Sequence, residues 1–120
     1  MFKSIHCAAL YTEDIEKSKA FYGKLGVQPA WEVKRPLEGG QEWTLTGLKF
    51  PDGGAQLVLQ NNPQLKEIDI EVQVESVSLV YQLLSQDPEV KWIQTPFQVE
   101  DGNVAVMQAP DGNVLVLVGP

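Results

Sequence analysis

The amino-acid sequence predicts an α+β fold, with tandem duplicated βαβββ modules forming a curved mixed sheet cup with helices on the outside. Two observations lead to this prediction. The hydrophobic pattern changes from strand-like to helix-like and back twice, in the same order. The turn motif PDGG at 51–54 returns as PDGN at 110–113, each time before an apolar strand. We therefore expect one domain, 1–120, made of module one at 4–60, a linker at 61–66 and module two at 67–118.

The first module begins with a strand of small and apolar residues at 4–12. Asp14 is a typical helix N-cap, because its carboxylate can accept hydrogen bonds from the first backbone N–H groups of a helix. Apolar residues then recur at helical spacing, and Gly26 is a typical helix end. The predicted stripe consists of Ile15, Ser18, Phe21, Tyr22 and Leu25. Strands are predicted at 27–35, 42–50 and 55–60.

The second module repeats this order after the polar linker. The stretch IDIEVQV at 68–74 alternates strictly between apolar and polar residues, which is the period of a strand. Ser76 is the predicted N-cap of a helix. The apolar stripe of that helix is Val77, Val80, Tyr81 and Leu84. The remaining strands are predicted at 89–99, 103–109 and 114–118.

Composition excludes several classes of function. The net charge of −7 disfavours binding to nucleic acid or to an anionic membrane. No apolar run approaches the length of a membrane span. The single cysteine, Cys7, cannot form an internal disulfide, so nothing indicates an oxidising compartment. We therefore expect a cytoplasmic protein.

Two stretches resemble the vicinal oxygen chelate superfamily, which includes glyoxalase I, the bleomycin and fosfomycin resistance proteins and extradiol dioxygenases. They are CAALYTEDIEKSKAFYGKLGV at 7–27 and APDGNVLVLV at 109–118. The first is similar to the family's strand–Asp–helix opening with its Phe-Tyr and Leu-Gly pairs, and the second to its turn before the last strand. The resemblance implies the fold above but no single activity, because the family includes lyases, isomerases, dioxygenases and non-catalytic drug binders.

In the metal-dependent members of this family, the first and last strands of each module carry the metal ligands, usually His, Glu or Gln. The resemblance places Cys7, Val58, Asp69 and Val116 at these four positions, with Leu57 as the alternative to Val58 if the turn shifts the register. The only histidine, His6, lies one residue out of register and on the opposite strand face. Two valines offer no donor atom, and one thiol with one carboxylate leaves a transition metal short of ligands. We therefore expect no metal and no other cofactor.

Several of these residues have a second interpretation. Cys7 is a candidate nucleophile, but a cysteine among apolar neighbours is more often a small buried hydrophobic residue. Asp69, Glu71 and Gln73 share one strand face. They either line the cup, where carboxylates would pair with an amine or guanidinium, or form a solvated outer face.

Aromatic side chains complete the candidate site, because indole and phenol rings stack on planar or cationic ligands. Trp31 and Trp92 both fall on the second strand of their modules, which mirrors the repeat. Aromatic residues on strands are also typical of a core or an interface. The predicted lining of the cup is Cys7, Tyr11, Trp43, Val58, Asp69, Glu71, Trp92 and Val116.

The leading hypothesis is a metal-independent protein that binds or sequesters a cationic or aromatic organic compound in the cup. Bleomycin-resistance-like members of the family do this as dimers, so the resemblance also implies a homodimer and a link to antibiotic resistance. One alternative is a degenerate metal-dependent lyase, isomerase or dioxygenase that uses Cys7 and Asp69. Another is an interaction protein whose cup is filled by its own side chains or by a partner.

Overall fold

The computed structural model describes all residues from Met1 to Pro120, and its elements follow the order βαβββ twice. This confirms the α+β prediction. The first half contains β1 (Phe2–Tyr11), α1 (Ile15–Lys24), β2 (Gln28–Pro36), a 3₁₀ turn at Glu38–Gly40, β3 (Glu42–Lys49) and β4 (Gln56–Gln60). The second contains β5 (Asp69–Val74), α2 (Val77–Leu84), β6 (Lys91–Val99), β7 (Gly102–Gln108) and β8 (Val114–Gly119). No helix combines the length and the apolar character that a membrane span requires.

The chain forms two compact units. We call Cys7–Ile68 the N-terminal unit, and Met1–His6 together with Asp69–Pro120 the C-terminal unit. The first residues of β1 therefore group with the second half of the sequence.

The N-terminal unit contains a mixed sheet in the order β2-β3-β4-β1, with β1 parallel to β4 and the other pairs antiparallel. One sheet face packs against α1 through a cluster of Val27, Leu48 and Leu59, against which Ile15 and Tyr22 also pack. The Asp14 carboxylate accepts a hydrogen bond from the Lys17 N–H at 3.0 Å, which confirms the predicted N-cap.

The stripe predicted for α1 is too wide. Phe21 and Leu25 leave 56% and 66% of their surfaces exposed, whereas Ile15 and Tyr22 pack against the sheet. A single helix on a sheet buries only the side chains that point directly at it, so residues at the margin of the stripe remain in solvent.

The other face of this sheet, which we call the distal face, carries the side chains of Cys7, Ala9, Leu45 and Val58. Side chains alternate along a strand, so Leu57 and Leu59 point to the α1 side while Val58 points to the distal side. Val58 therefore shares a face with Cys7, as the predicted register requires, and Leu57 does not.

The C-terminal unit contains a mixed sheet in the order β5-β8-β7-β6, with β5 parallel to β8. The Ser76 hydroxyl accepts a hydrogen bond from the Leu79 N–H at 3.3 Å and caps α2. The helix packs on a core of Val72, Val74, Val77, Val80, Ala105, Met107 and Leu117. Complete burial of Val77 and near-complete burial of Val80 confirm the apolar stripe predicted for this helix.

Candidate functional site

Four predicted site residues lie on the distal face of the N-terminal unit, namely Cys7, Tyr11, Trp43 and Val58. Ala9 pairs with Val58 and Tyr11 with Gln60 in the parallel ladder between β1 and β4. Paired residues point to the same side of a sheet, so Tyr11 lies in the row next to Val58. Cys7 and Val58 are 1% and 3% exposed, and together with Ala9 they form an apolar cluster.

The indole ring of Trp31 lies on this face, over Gly47 of the neighbouring strand. A Cβ atom at Gly47 would overlap the indole ring, so the absence of a side chain there gives the ring its place. The indole N–H of Trp31 donates to Gln56 Oε1 at 2.7 Å. Because Gly47 pairs with Val58, the ring lies beside the position at which the family resemblance places a metal ligand.

The indole N–H of Trp43, two rows further along the same face, is also held by a glutamine. This N–H group donates to Gln60 Oε1 at 3.0 Å. The Arg35 guanidinium lies over the ring, with its central carbon 5.1 Å from the ring centroid. Both tryptophans therefore have their polar N–H group bonded to a glutamine, which fixes the position of the two rings.

A pocket of about 490 Å³ opens at the carboxyl ends of β1 and β4. Its lining includes Tyr11, Glu13, Leu37, Glu42, Asn61 and Pro63. The loop between β2 and β3 forms one side, where the Leu37 N–H donates to the Gln41 carbonyl at 2.9 Å. This tight loop is possible because Gly39 and Gly40 adopt φ angles of 80° and 78°, which disfavour other residues.

The ring of Tyr11 is in contact with a cationic side chain of the protein itself. The Lys66 ammonium lies 5.5 Å from the centroid of the Tyr11 ring, within the range of a cation–π contact. Glu42, on the β3 side of the pocket, forms an exposed ion pair with Lys34 at 3.3 Å. Two lysines of the chain thus already contact residues that line the pocket.

The C-terminal unit holds the other predicted site residues in two different places. Glu71 pairs with Val116 in the parallel ladder of β5 and β8, and strand alternation places Asp69 on the same face. This face is opposite the one that packs against α2.

Trp92 lies on the α2 side instead. It pairs with the buried Met107 and forms an edge-to-face contact with Tyr81 of α2, with ring centroids 4.7 Å apart. Its indole N–H is buried without a hydrogen-bond partner. The prediction that Trp92 lines the ligand site is therefore corrected, since this residue belongs to the α2 core.

One ionisable group with a shifted pKa lies in the turn before β8. The Asn113 N–H donates to Asp111 Oδ1 at 3.0 Å. This bond, helped by the side chain of Asn113, lowers the pKa of Asp111 below its ordinary value. The lowered pKa of Asp111 is therefore explained by hydrogen bonds within the turn that precedes β8.

The donor chemistry at the four family ligand positions does not fit a metal ion. Val58 and Val116 carry no donor atom, and Cys7 lies in an apolar cluster with Ala9. Nowhere in the structure are three His, Cys, Asp or Glu side chains grouped so that they could hold a metal. Structural zinc sites use four protein ligands and catalytic ones three.

The family model of the Glyoxalase/Bleomycin resistance protein/Dioxygenase superfamily matches residues 4–117 of this chain. The chain belongs to this superfamily. The match covers both βαβββ halves, and the resemblance predicted from the sequence is confirmed.

Solved structures with this fold include a hypothetical protein from Bacillus halodurans, with a TM-score of 0.74, 16% identity and coverage of 98% of this chain and 94% of that one. Methylmalonyl-CoA epimerase from Mycobacterium tuberculosis gives a TM-score of 0.75 at 14% identity, covering 99% and 89% of the two chains. The Streptomyces coelicolor methylmalonyl-CoA epimerase in complex with 2-nitronate-propionyl-CoA gives 0.73 at 16% identity, covering 99% and 95%. No curated protein matches the sequence. At these identities the likeness shows the fold alone.

Sequence reasoning missed the glutamines that hold the two indole rings. Gln56 and Gln60 are four residues apart on β4, so alternation places both on one face with Val58 between them. The sequence signal for them was a pair of polar residues, each two positions from Val58 and so on the same strand face. Lys66 had no such signal, because its position over Tyr11 depends on the fold of the linker.

Proposed function

We propose that this protein binds a small organic molecule on the distal face of its N-terminal unit without the help of a metal. The observation that carries this proposal is the pair of indole rings of Trp31 and Trp43. Glutamine side chains fix their N–H groups, and the Trp31 ring lies beside the apolar cluster at which the family resemblance places metal ligands. Fixed aromatic surfaces next to apolar side chains are typical of sites for aromatic compounds.

Charge favours a cationic group on such a ligand. Arg35 lies over Trp43 and Lys66 over Tyr11, so both rings are placed where a positive charge is stabilised. The charged side chains among the lining of the adjacent pocket are Glu13 and Glu42, both acidic. The net charge of −7 adds a long-range attraction for cations.

The carboxylates of Glu13 and Glu42 argue against a substrate like that of the methylmalonyl-CoA epimerases. A CoA thioester carries several phosphate charges, which an acidic lining repels. The fold shared with these enzymes is therefore compatible with a different ligand class. An enzyme of the superfamily that depends on a metal remains the alternative, and it requires a donor set other than the four family positions.

The test is a fluorescence titration of the protein with planar aromatic cations in the presence of a chelator. We expect saturable quenching, because a ligand that stacks on Trp31 or Trp43 alters the emission of the indole. Trp31→Ala should weaken binding by roughly two- to tenfold, as expected for the loss of one aromatic contact.

Trp92→Phe is the matched control, since this tryptophan lies in the α2 core. It should leave the affinity unchanged. Equal loss of affinity in both variants, or binding that disappears with the chelator, would refute the proposed site.

We also propose that the protein is a cytoplasmic homodimer. Large apolar side chains at the start of β1 are exposed, with Phe2 at 48% and Ile5 at 57%. Burial of such residues by a second copy would remove apolar surface from water. Analytical ultracentrifugation should give twice the mass of the chain, and a monomer at micromolar concentration would contradict this part of the proposal.

A further inference from the structure

We infer that the pocket beside Tyr11 is a site for an organic ammonium or guanidinium group, and that Lys66 is a built-in competitor for it. This inference rests on the proposed function and specifies the ligand class and the control of access. The ligand's cation would take the place that the Lys66 ammonium now occupies over the Tyr11 ring.

The ring of Tyr11 is already used as a cation acceptor. Lys66 Nζ lies 5.5 Å from the centroid of this ring, and Lys66 is exposed. An exposed cation–π contact is weak, and a long lysine side chain leaves it readily. The contact therefore shows that the Tyr11 ring attracts a positive charge, and the Lys66 ammonium can leave the ring when a ligand binds.

The pocket next to this ring suits a cation with an apolar body. Its volume of about 490 Å³ lies in the range of small-molecule sites. Glu13 supplies negative charge, as does Glu42, whose carboxylate is also paired with Lys34, while Leu37 and Pro63 supply apolar surface. A ligand with a cationic group and an apolar body would be attracted by the carboxylates and would bury apolar surface in the pocket.

A part-buried hydrogen-bond network places Lys66 in this position. Gln60, which is 5% exposed, donates to the Leu65 carbonyl at 2.6 Å. The Leu65 N–H donates to the Asn62 carbonyl at 3.0 Å, which closes the turn before Lys66. The Gln60 side chain also accepts the hydrogen bond of the Trp43 indole. The linker is thus tied to the distal face, and its lysine is placed over Tyr11 by the fold.

The test uses benzyltrimethylammonium as the probe and isothermal titration calorimetry as the measurement. Lys66→Gln keeps much of the side-chain length but removes the competing charge. We expect it to raise the affinity for the probe by roughly two- to fivefold, the equivalent of one exposed cation–π contact. Lys66→Arg keeps a competing cation that stacks well on the ring, so it should bind the probe no more tightly than the native protein does.

Lys49→Gln is the matched control, because it makes the same change in net charge at an exposed end of β3. It should raise the affinity much less than Lys66→Gln. An equal effect of the two substitutions would show that only net charge matters and would overturn the competitor role.

Tyr11→Leu and Tyr11→Phe separate the ring from the rest of the pocket. The leucine variant should lose most of the binding and the phenylalanine variant should keep it, since the ring face is what the cation contacts. Thermal unfolding of both variants shows whether they are folded. If Tyr11→Phe binds no better than Tyr11→Leu, the ring contact is refuted.

The outcome for neutral ligands distinguishes this inference from the proposed function. Binding of neutral aromatic compounds without binding of the ammonium probe would overturn the cation pocket while leaving the distal-face site intact. Absence of both would overturn both proposals.

Discussion

Gly47 determines where the indole ring of Trp31 can lie. The ring occupies the space that a side chain at this position would fill, and the Gln56 amide oxygen fixes its N–H at 2.7 Å. Glycine inside a strand weakens the strand unless something approaches its backbone closely. Here the close approach is that of an aromatic ring belonging to the proposed ligand site.

Gly47→Ala is therefore expected to destabilise the protein by about 1–3 kcal/mol, because the new methyl group displaces a ring that is hydrogen-bonded in place. Urea unfolding measures the loss, and the fluorescence maximum of the folded protein should shift as Trp31 moves. Gly23→Ala is the control, since nothing lies within 4 Å of a Cβ at that helical position. It should stabilise the protein by about 0.5–1 kcal/mol. A fully stable Gly47→Ala protein with unchanged emission would contradict this packing.

At the scale of elements, β2 and β6 explain why one part of the site could not be predicted. Strand β2 contains one irregularity, between Pro29 and Trp31, and β6 contains two, the first of them between Trp92 and Gln94. An extra residue in a strand reverses the alternation of all side chains beyond it. Trp31 follows its irregularity and lies on the distal face, whereas Trp92 precedes its own and lies under α2.

The strand pattern alone gives no sign of where such an irregularity occurs, so the sequence repeat placed both tryptophans on the second strand of their modules but did not determine which sheet face each one occupies. The position of Val58 was better determined, because β4 is short and regular and follows a turn of recognisable sequence. The two N-caps were also predictable, since Asp14 and Ser76 immediately precede apolar residues at helical spacing.

Gln60 joins three elements, and its removal tests that connection. Its side chain accepts from the Trp43 indole at 3.0 Å and from the Asn62 N–H at 2.8 Å, and it donates to the Leu65 carbonyl. Gln60→Leu leaves these groups without their partner, so we expect a loss of about 1–3 kcal/mol in the free energy of unfolding. Chemical denaturation provides the measurement.

Gln82→Leu on the exposed side of α2 is the comparison, with an expected change within about 0.5 kcal/mol. Similar stability of the two variants would mean that the Gln60 network contributes nothing beyond an ordinary surface amide.

At the scale of the whole molecule, the superfamily fold was the most predictable property. Two copies of one element order, each with a Pro-Asp-Gly turn before its last strand, indicate the fold without any structural information. Function was less predictable, because this fold supports several chemistries and the side chains at a few positions decide among them. The substitution of valine for a donor residue at two of these positions is readable from the sequence, whereas the stacked rings and the position of Lys66 required the structure.

The central claim is that this member of the superfamily works without a metal. Elemental mass spectrometry of the protein, purified without added metal or chelator, tests it most directly. We predict less than about a tenth of an equivalent of any transition metal per chain, because Val58 and Val116 supply no donor atom. A transition-metal content of about one equivalent per chain would contradict this prediction and indicate a metal site built from other residues.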